Sequence, residues 1–137
     1  MTKPLSETTY EERRTMPGLS LYEQLYGKTE HDIKRELLAA MRKHGVHRIE
    51  ATYSGGHDEG GVQEMTLFNA SGGTLNGGDY NDLYDACNEV MSTKYYSWAL
   101  EGSVYGTLYV DLGERRAWTV GSVEVWAEEE DTLEWKL

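Results

Sequence analysis

The densest set of chemistry-bearing side chains lies in Tyr53-Ser54-Gly55-Gly56-His57-Asp58-Glu59-Gly60-Gly61-Val62-Gln63-Glu64. Asp58, Glu59 and Glu64 offer hard oxygen ligands, and His57 adds a ring nitrogen. Such donors suit a divalent cation, so a metal-dependent hydrolase centred on Asp58, Glu64 and His57 is one reading. The spacing departs from a calcium loop, which sets oxygens at alternate positions before a distal glutamate. Neighbours in an extended chain also point to opposite sides, which keeps His57, Asp58 and Glu59 from converging on one ion. No nucleophile elbow, phosphate loop or His-x-x-x-His pair accompanies them. The four glycines predict a long hairpin loop whose acids are solvated and open to a partner. The expectation is therefore a chain without catalytic residues, metal or cofactor.

A second constellation sits near the C-terminus. Residues 103–112 and 115–126 read as two strands joined by the short turn Leu112-Gly113-Glu114-Arg115. A loop of two or four residues makes opposed positions sum to 227 either way. One face then pairs Val110 with Ala117, Leu108 with Thr119, Gly106 with Gly121 and Val104 with Val123. It is small and aliphatic, suited to packing helices. The other pairs Tyr109 with Trp118 and Thr107 with Val120, beside Tyr105 and Asp111. Cross-strand aromatic pairs stabilise sheets by themselves, by about 0.2–1 kcal/mol each. With helices on one side only, however, Tyr105, Tyr109 and Trp118 lie on a face that is either covered by the N-terminal arm or open, and exposed aromatic patches mark contacts.

Charge selects among partners. The chain of 137 residues carries 13 Lys and Arg against 24 Asp and Glu, a net of −11. Residues 1–49 hold nine bases and seven acids, and residues 50–137 hold four bases and seventeen acids. The second part is thus at −13, a field that repels phosphate backbones and attracts basic surfaces. Direct binding of nucleic acid is disfavoured, although aromatic sheet faces do serve single-strand RNA binders.

The elements that must position these groups are legible. Residues 1–28 read as a helical arm of two short turns, with capping boxes at Thr8/Glu11 and Ser20/Glu23 and a break at Pro17-Gly18. Leu21 and Leu25 share one face of it, beside Tyr22 and Tyr26. A helix over 30–44 is capped by Thr29 with Asp32 and stopped by Gly45, with Ile33, Leu37, Leu38, Ala40 and Met41 as its apolar stripe. A strand over 47–53 turns Ile49, Ala51 and Tyr53 inward, and 63–68 returns with Met65 and Leu67 inward. A second helix over 80–94, capped by Asp79 with Asp82, buries Leu83, Ala86, Cys87, Val90 and Met91. Cys87, the single cysteine, is a core residue on this stripe. The order is αββαββ, an α+β fold with a four-stranded antiparallel sheet and helices on one face. The expected layout is a helical arm over 1–28, a single domain over 29–127 and an acidic tail over 128–137. Leu133, Trp135 and Leu137 could add an edge strand. No apolar run approaches the ~20 residues of a membrane span, and residues 1–10 lack a signal-peptide core. A soluble, cytoplasmic protein is expected.

The Tyr53–Glu64 segment resembles the "Y-x-G-S-G-D-S-G-x-I-E" motif of a family of small uncharacterised proteins found in bacteria, plasmids and phages. Gly55, Asp58, Gly60 and Glu64 carry the resemblance. The family's later pattern, "G-W-E-N-N-D-G-x-x-G-x-x-x-x-D", is similar to the run from Tyr96 to Asp111. Trp98, Gly102, Gly106 and Asp111 fit it, whereas Ala99 and Leu100 stand where polar residues are usual. The resemblance spans about residues 46–125. It implies an α+β domain and a mobile-element setting, and it brings no activity.

Together these features favour a non-enzymatic, acidic protein-binding module of phage or mobile-element type. Its partner would be a protein with a basic surface, such as a host nucleic-acid-handling or defence complex that it inhibits. Tyr105, Tyr109 and Trp118 would be the apolar anchors, and Asp58, Glu59 and Glu64 the charged contacts. A small-ligand binder, with a pocket between the glycine loop and the Trp98 segment, is a third reading. Homo-oligomerisation through the aromatic face is equally compatible with the residues.

Overall fold

The computed structural model describes residues 5–19, 27–56, 59–94, 103–124, 128–131 and 134–137. The Ser20/Glu23 box, Tyr22 and Tyr26, His57 and Asp58, the Trp98 segment and Leu133 lie outside these residues. Among the described residues no helix is long and apolar enough to cross a membrane.

A 3-10 turn at Leu5–Glu7 and a short helix α1 at Tyr10–Arg13 open the chain. The cap falls one residue later than the sequence suggests. Thr9 is the N-cap and accepts from the Glu12 N–H, while the Thr8 hydroxyl donates to the Leu5 carbonyl. The arm returns against the helices: Gly27 sits by Arg13, and Lys28 bridges Glu36 at 3.0 Å and Glu89 at 2.7 Å.

Helix α2, Glu30–His44, has the expected ends. Thr29 and Asp32 form a reciprocal capping box, and Gly45 takes the left-handed angle (φ 67°) that ends the helix. Helix α3, Asn81–Lys94, starts where Asp79 accepts from the Asn81 N–H. Asp82 is engaged elsewhere: the His44 Nε2–H donates to its carboxylate at 2.9 Å, tying the end of α2 to the start of α3. Ile33, Leu37, Ala40 and Met41 of α2 pack with Leu83, Ala86, Cys87, Val90 and Met91 of α3 in one core. Burial pushes the Cys87 thiol up to about 12. That makes it an inert packing group at neutral pH.

The sheet comprises β1 (Arg48–Gly56), β2 (Glu59–Phe68), β3 (Ser103–Asp111), β4 (Arg116–Glu124), β5 (Glu128–Asp131) and β6 (Glu134–Lys136). All pairings are antiparallel, in the order β2-β1-β3-β4-β5, and β6 also pairs with β4. The β3–β4 register is the expected one throughout, from Ser103 opposite Glu124 to Asp111 opposite Arg116.

Two expectations are corrected. Four strands were too few: β5 hydrogen-bonds along 121–124 and β6 along 116–118, so the two share the far edge of β4. The alternation Glu134-Trp135-Lys136 buries Trp135 in the core, and that apolar contact anchors the C-terminal segment. The glycine stretch, in turn, is largely strand. Gly55 pairs with Gly60 and Gly56 with Glu59, leaving only residues 57 and 58 between the strands. A bulge makes this compatible with burial. Thr52 faces Glu64 but Tyr53 faces Val62, so Gln63 is extra and both Tyr53 and Val62 turn inward.

Helix α3 holds the bulge in place. The Asn88 side-chain oxygen accepts from the Val62 N–H at 2.9 Å, and the Tyr84 hydroxyl donates to the Val62 carbonyl. A Cβ on Gly61 would lie 2.9 Å from the Asn88 oxygen and push it off the Val62 N–H, so glycine favours this approach. A second close approach lies mid-sheet. Gly106 and Gly121 are opposed, and a Cβ on either would come within 2.6 Å of the buried Tyr53 hydroxyl. The two missing side chains make the room that Tyr53 fills.

Candidate functional site: the uncovered sheet face

The helices pack on the face that carries Ile49, Ala51, Tyr53, Leu108, Val110 and Ala117. By alternation, Arg48, Glu50, Thr52 and Ser54 of β1 lie on the opposite face with Tyr105, Thr107, Tyr109 and Asp111 of β3 and Arg116, Trp118 and Val120 of β4. The three aromatic residues singled out in the sequence share this face, but not one environment.

Tyr109 and Trp118 stack at 5.3 Å between ring centroids with an interplanar angle of 17°. Arg116 lies 4.2 Å over the Trp118 ring, and Arg48 lies 5.5 Å from Tyr109 and 5.8 Å from Trp118. The stack is therefore half-buried beneath two guanidinium groups. Each arginine is held in turn. Arg48 donates to Asp111 at 2.8 Å, and Arg116 pairs with Glu134 at 3.2 Å and Glu114 at 3.7 Å. Asp111 also accepts from the Gly113 and Glu114 N–H groups, which closes the β3–β4 turn. Burial raises its carboxyl, but the Glu114 N–H, Arg48 and the Gly113 N–H outweigh that and hold it below the ordinary value. Sequence reasoning missed this cluster. Its signal is Arg48 on the strand beside Tyr109 and Arg116 two residues before Trp118 on the same strand.

Tyr105 stands apart, 48% exposed, and its diagonal neighbour Val120 is 61% exposed. Beside Tyr105 a cleft of about 550 Å³ is lined by Ser54, Gly56, Glu59, Gln63 and Ser103. The paired glycine stretch thus brings Glu59 to the same cleft as Tyr105. Glu64 is exposed on β2, where its N–H is bound by the Thr52 hydroxyl. Asp58 lies outside the described residues. Among the described residues no group of three or more His, Cys, Asp or Glu side chains could hold a metal ion.

Comparison with family models, curated proteins and solved structures returns no match for this chain.

Proposed function

We propose that this chain is a non-enzymatic, acidic protein-binding module whose contact surface is the uncovered sheet face. The observation that carries the reading is the exposure of Tyr105 and Val120 on a strand-paired surface opposite the helix layer. Antiparallel sheets commonly leave one face solvated, and neighbouring exposed apolar side chains on such a face favour a contact there. The net charge of −11 selects a partner with a basic surface. In its concrete form the module inhibits a nucleic-acid-handling or defence complex of a bacterial host by occupying a surface meant for nucleic acid. The resemblance of the Tyr53–Glu64 segment to a phage and plasmid family supports that setting. Tyr105, with Tyr109 and Trp118 behind it, supplies the anchor, and Glu59 and Glu64 supply charge.

The test is affinity capture of tagged protein from bacterial lysate, washed at low and high salt. A stoichiometric basic partner released by salt is expected, because screening shortens from about 8 Å at physiological ionic strength to about 3 Å at 1 M. Capture indifferent to salt would sink the occupation of a nucleic-acid surface. A second reading, a small-ligand site, draws support from the cleft beside Tyr105, which lies within the usual size range of about 300–1,000 Å³.

A further inference from the structure

Strand register divides the open face into two halves of different charge. Toward the β3–β4 turn, the strand segments 48–51, 65–68, 108–111, 116–119 and 134–136 carry three bases (Arg48, Arg116, Lys136) and three acids (Glu50, Asp111, Glu134). Toward the β1–β2 hairpin, the segments 52–56, 59–64, 103–107, 120–124 and 128–131 carry no base. They carry seven acids, of which five fall at open-face positions in the register: Glu59, Glu64, Glu124, Glu128 and Glu130. The exposed apolar groups, Tyr105 and Val120, fall in this second half. Its floor is otherwise short and neutral, with Thr52, Ser54 and Thr107. Acid-bearing strands, β2 and β5, border it on both sides.

We infer that this half-face receives an amphipathic helix of a partner protein, with an apolar ridge on Tyr105 and Val120 and basic flanks over β2 and β5. The inference rests on the protein-binding reading above and names the shape of its partner. Charge complementarity fixes the basic flanks. The backbone argument fixes the helix. Groups of the inner strands are already bonded to neighbouring strands, so an extended segment laid on the face would leave its own N–H and C=O groups unpaired. A helix satisfies them internally, and helix on sheet is a stable layer. The dimensions agree. Five strands span roughly 19 Å and five residues of strand roughly 17 Å, room for about three helical turns with a diameter of about 10–12 Å. The cleft beside Tyr105 then accepts one basic side chain, between the Glu59 carboxylate and the ring.

The probe is a synthetic peptide of about 18 residues with leucines on one helical face and lysines and arginines on its flanks. A scrambled peptide of the same composition, without an apolar face, is the control. Amide shifts of the full chain are followed by NMR with the native protein and with a Tyr105→Ala, Val120→Ser double variant, which keeps the charge. The native chain is expected to bind the amphipathic peptide about tenfold more tightly than the scrambled one. Shifts should centre on residues 104–107 and 119–122, with helix formed in the bound peptide, and the double variant should abolish the preference. Equal affinity for both peptides, or shifts on the helix layer, overturns the inference. If the peptide fails while a partner captured from lysate is still lost in the double variant, the sheet-face reading stands and the helix is rejected. If capture also survives the double variant, the sheet-face reading falls with it.

Discussion

The two halves of the open sheet face use similar residues to opposite ends. Toward the β3–β4 turn, aromatic rings, guanidinium groups and carboxylates satisfy one another: Tyr109 on Trp118, Arg48 and Arg116 over the rings, Asp111 and Glu134 on the arginines. Toward the β1–β2 hairpin, Tyr105 and Val120 have no such cover among the described residues, and the acids around them have no base on the neighbouring strands. An aromatic residue on a sheet is thus not a contact by type. What separates the two halves is whether the molecule supplies its own cation and its own carboxylate.

The largest expected effect tests the floor that both halves share. Gly121→Val should destabilise the fold by about 3 kcal/mol in urea titration, because its side chain would meet the Tyr105 backbone carbonyl as well as the buried Tyr53 hydroxyl. A shift below about 1 kcal/mol would mean that both the β3 backbone and Tyr53 can yield at this point. Trp135→Ala, which removes the anchor of β6 next to the turn half, should cost about 3 kcal/mol by the same measurement. A near-neutral result would detach the C-terminal strands from the core.

A smaller effect sharpens the self-satisfied half. Asp111→Asn keeps an oxygen for the turn N–H groups but loses the charge facing Arg48, and should cost about 1 kcal/mol. Its pH signature has a definite sign. The folded-state carboxyl lies below the ordinary 3.8, so the stabilisation is present above that value and lost as pH falls through the lowered one. The variant should lack this part of the acid limb and match the native chain in slope above about pH 5. The smallest effect belongs to the other half. Tyr105→Ala with Val120→Ser should change stability by less than about 0.5 kcal/mol, while removing partner capture. A large loss of stability would place those residues in the structural class instead.

Much of this frame is legible in the chain itself, for reasons that differ by element. A short turn fixes the sum of opposed residue numbers, so the β3–β4 register and both of its faces follow from Leu112–Arg115. Thr29, Asp32 and Gly45 mark the ends of α2 because each satisfies a backbone group that a helix end leaves open. Glycines mislead at Gly55, Gly56, Gly60 and Gly61, since their conformational freedom suggests a loop. Backbone pairing across the hairpin and the reach of Asn88 over Gly61 give the same residues another purpose. Glu128–Asp131 misled for a related reason. Four consecutive acids show no alternation, yet ladder hydrogen bonds to β4 need none. Within the candidate site, Tyr105, Glu59 and Glu64 were nameable from type and pattern. The division of the face was not, because Arg48 and Arg116 meet the rings only after three strands are aligned.

The placement of β5 has a consequence for how the molecule lives among its own copies. A sheet that ends on an unpaired strand offers a row of backbone donors and acceptors on which further chains can stack. Here the rim strand is Glu-Glu-Glu-Asp, and an identical rim approaching it would bring like charges edge to edge. The acidity proposed above to favour a basic partner would therefore also act as a gatekeeper against fibre-like growth from the edge.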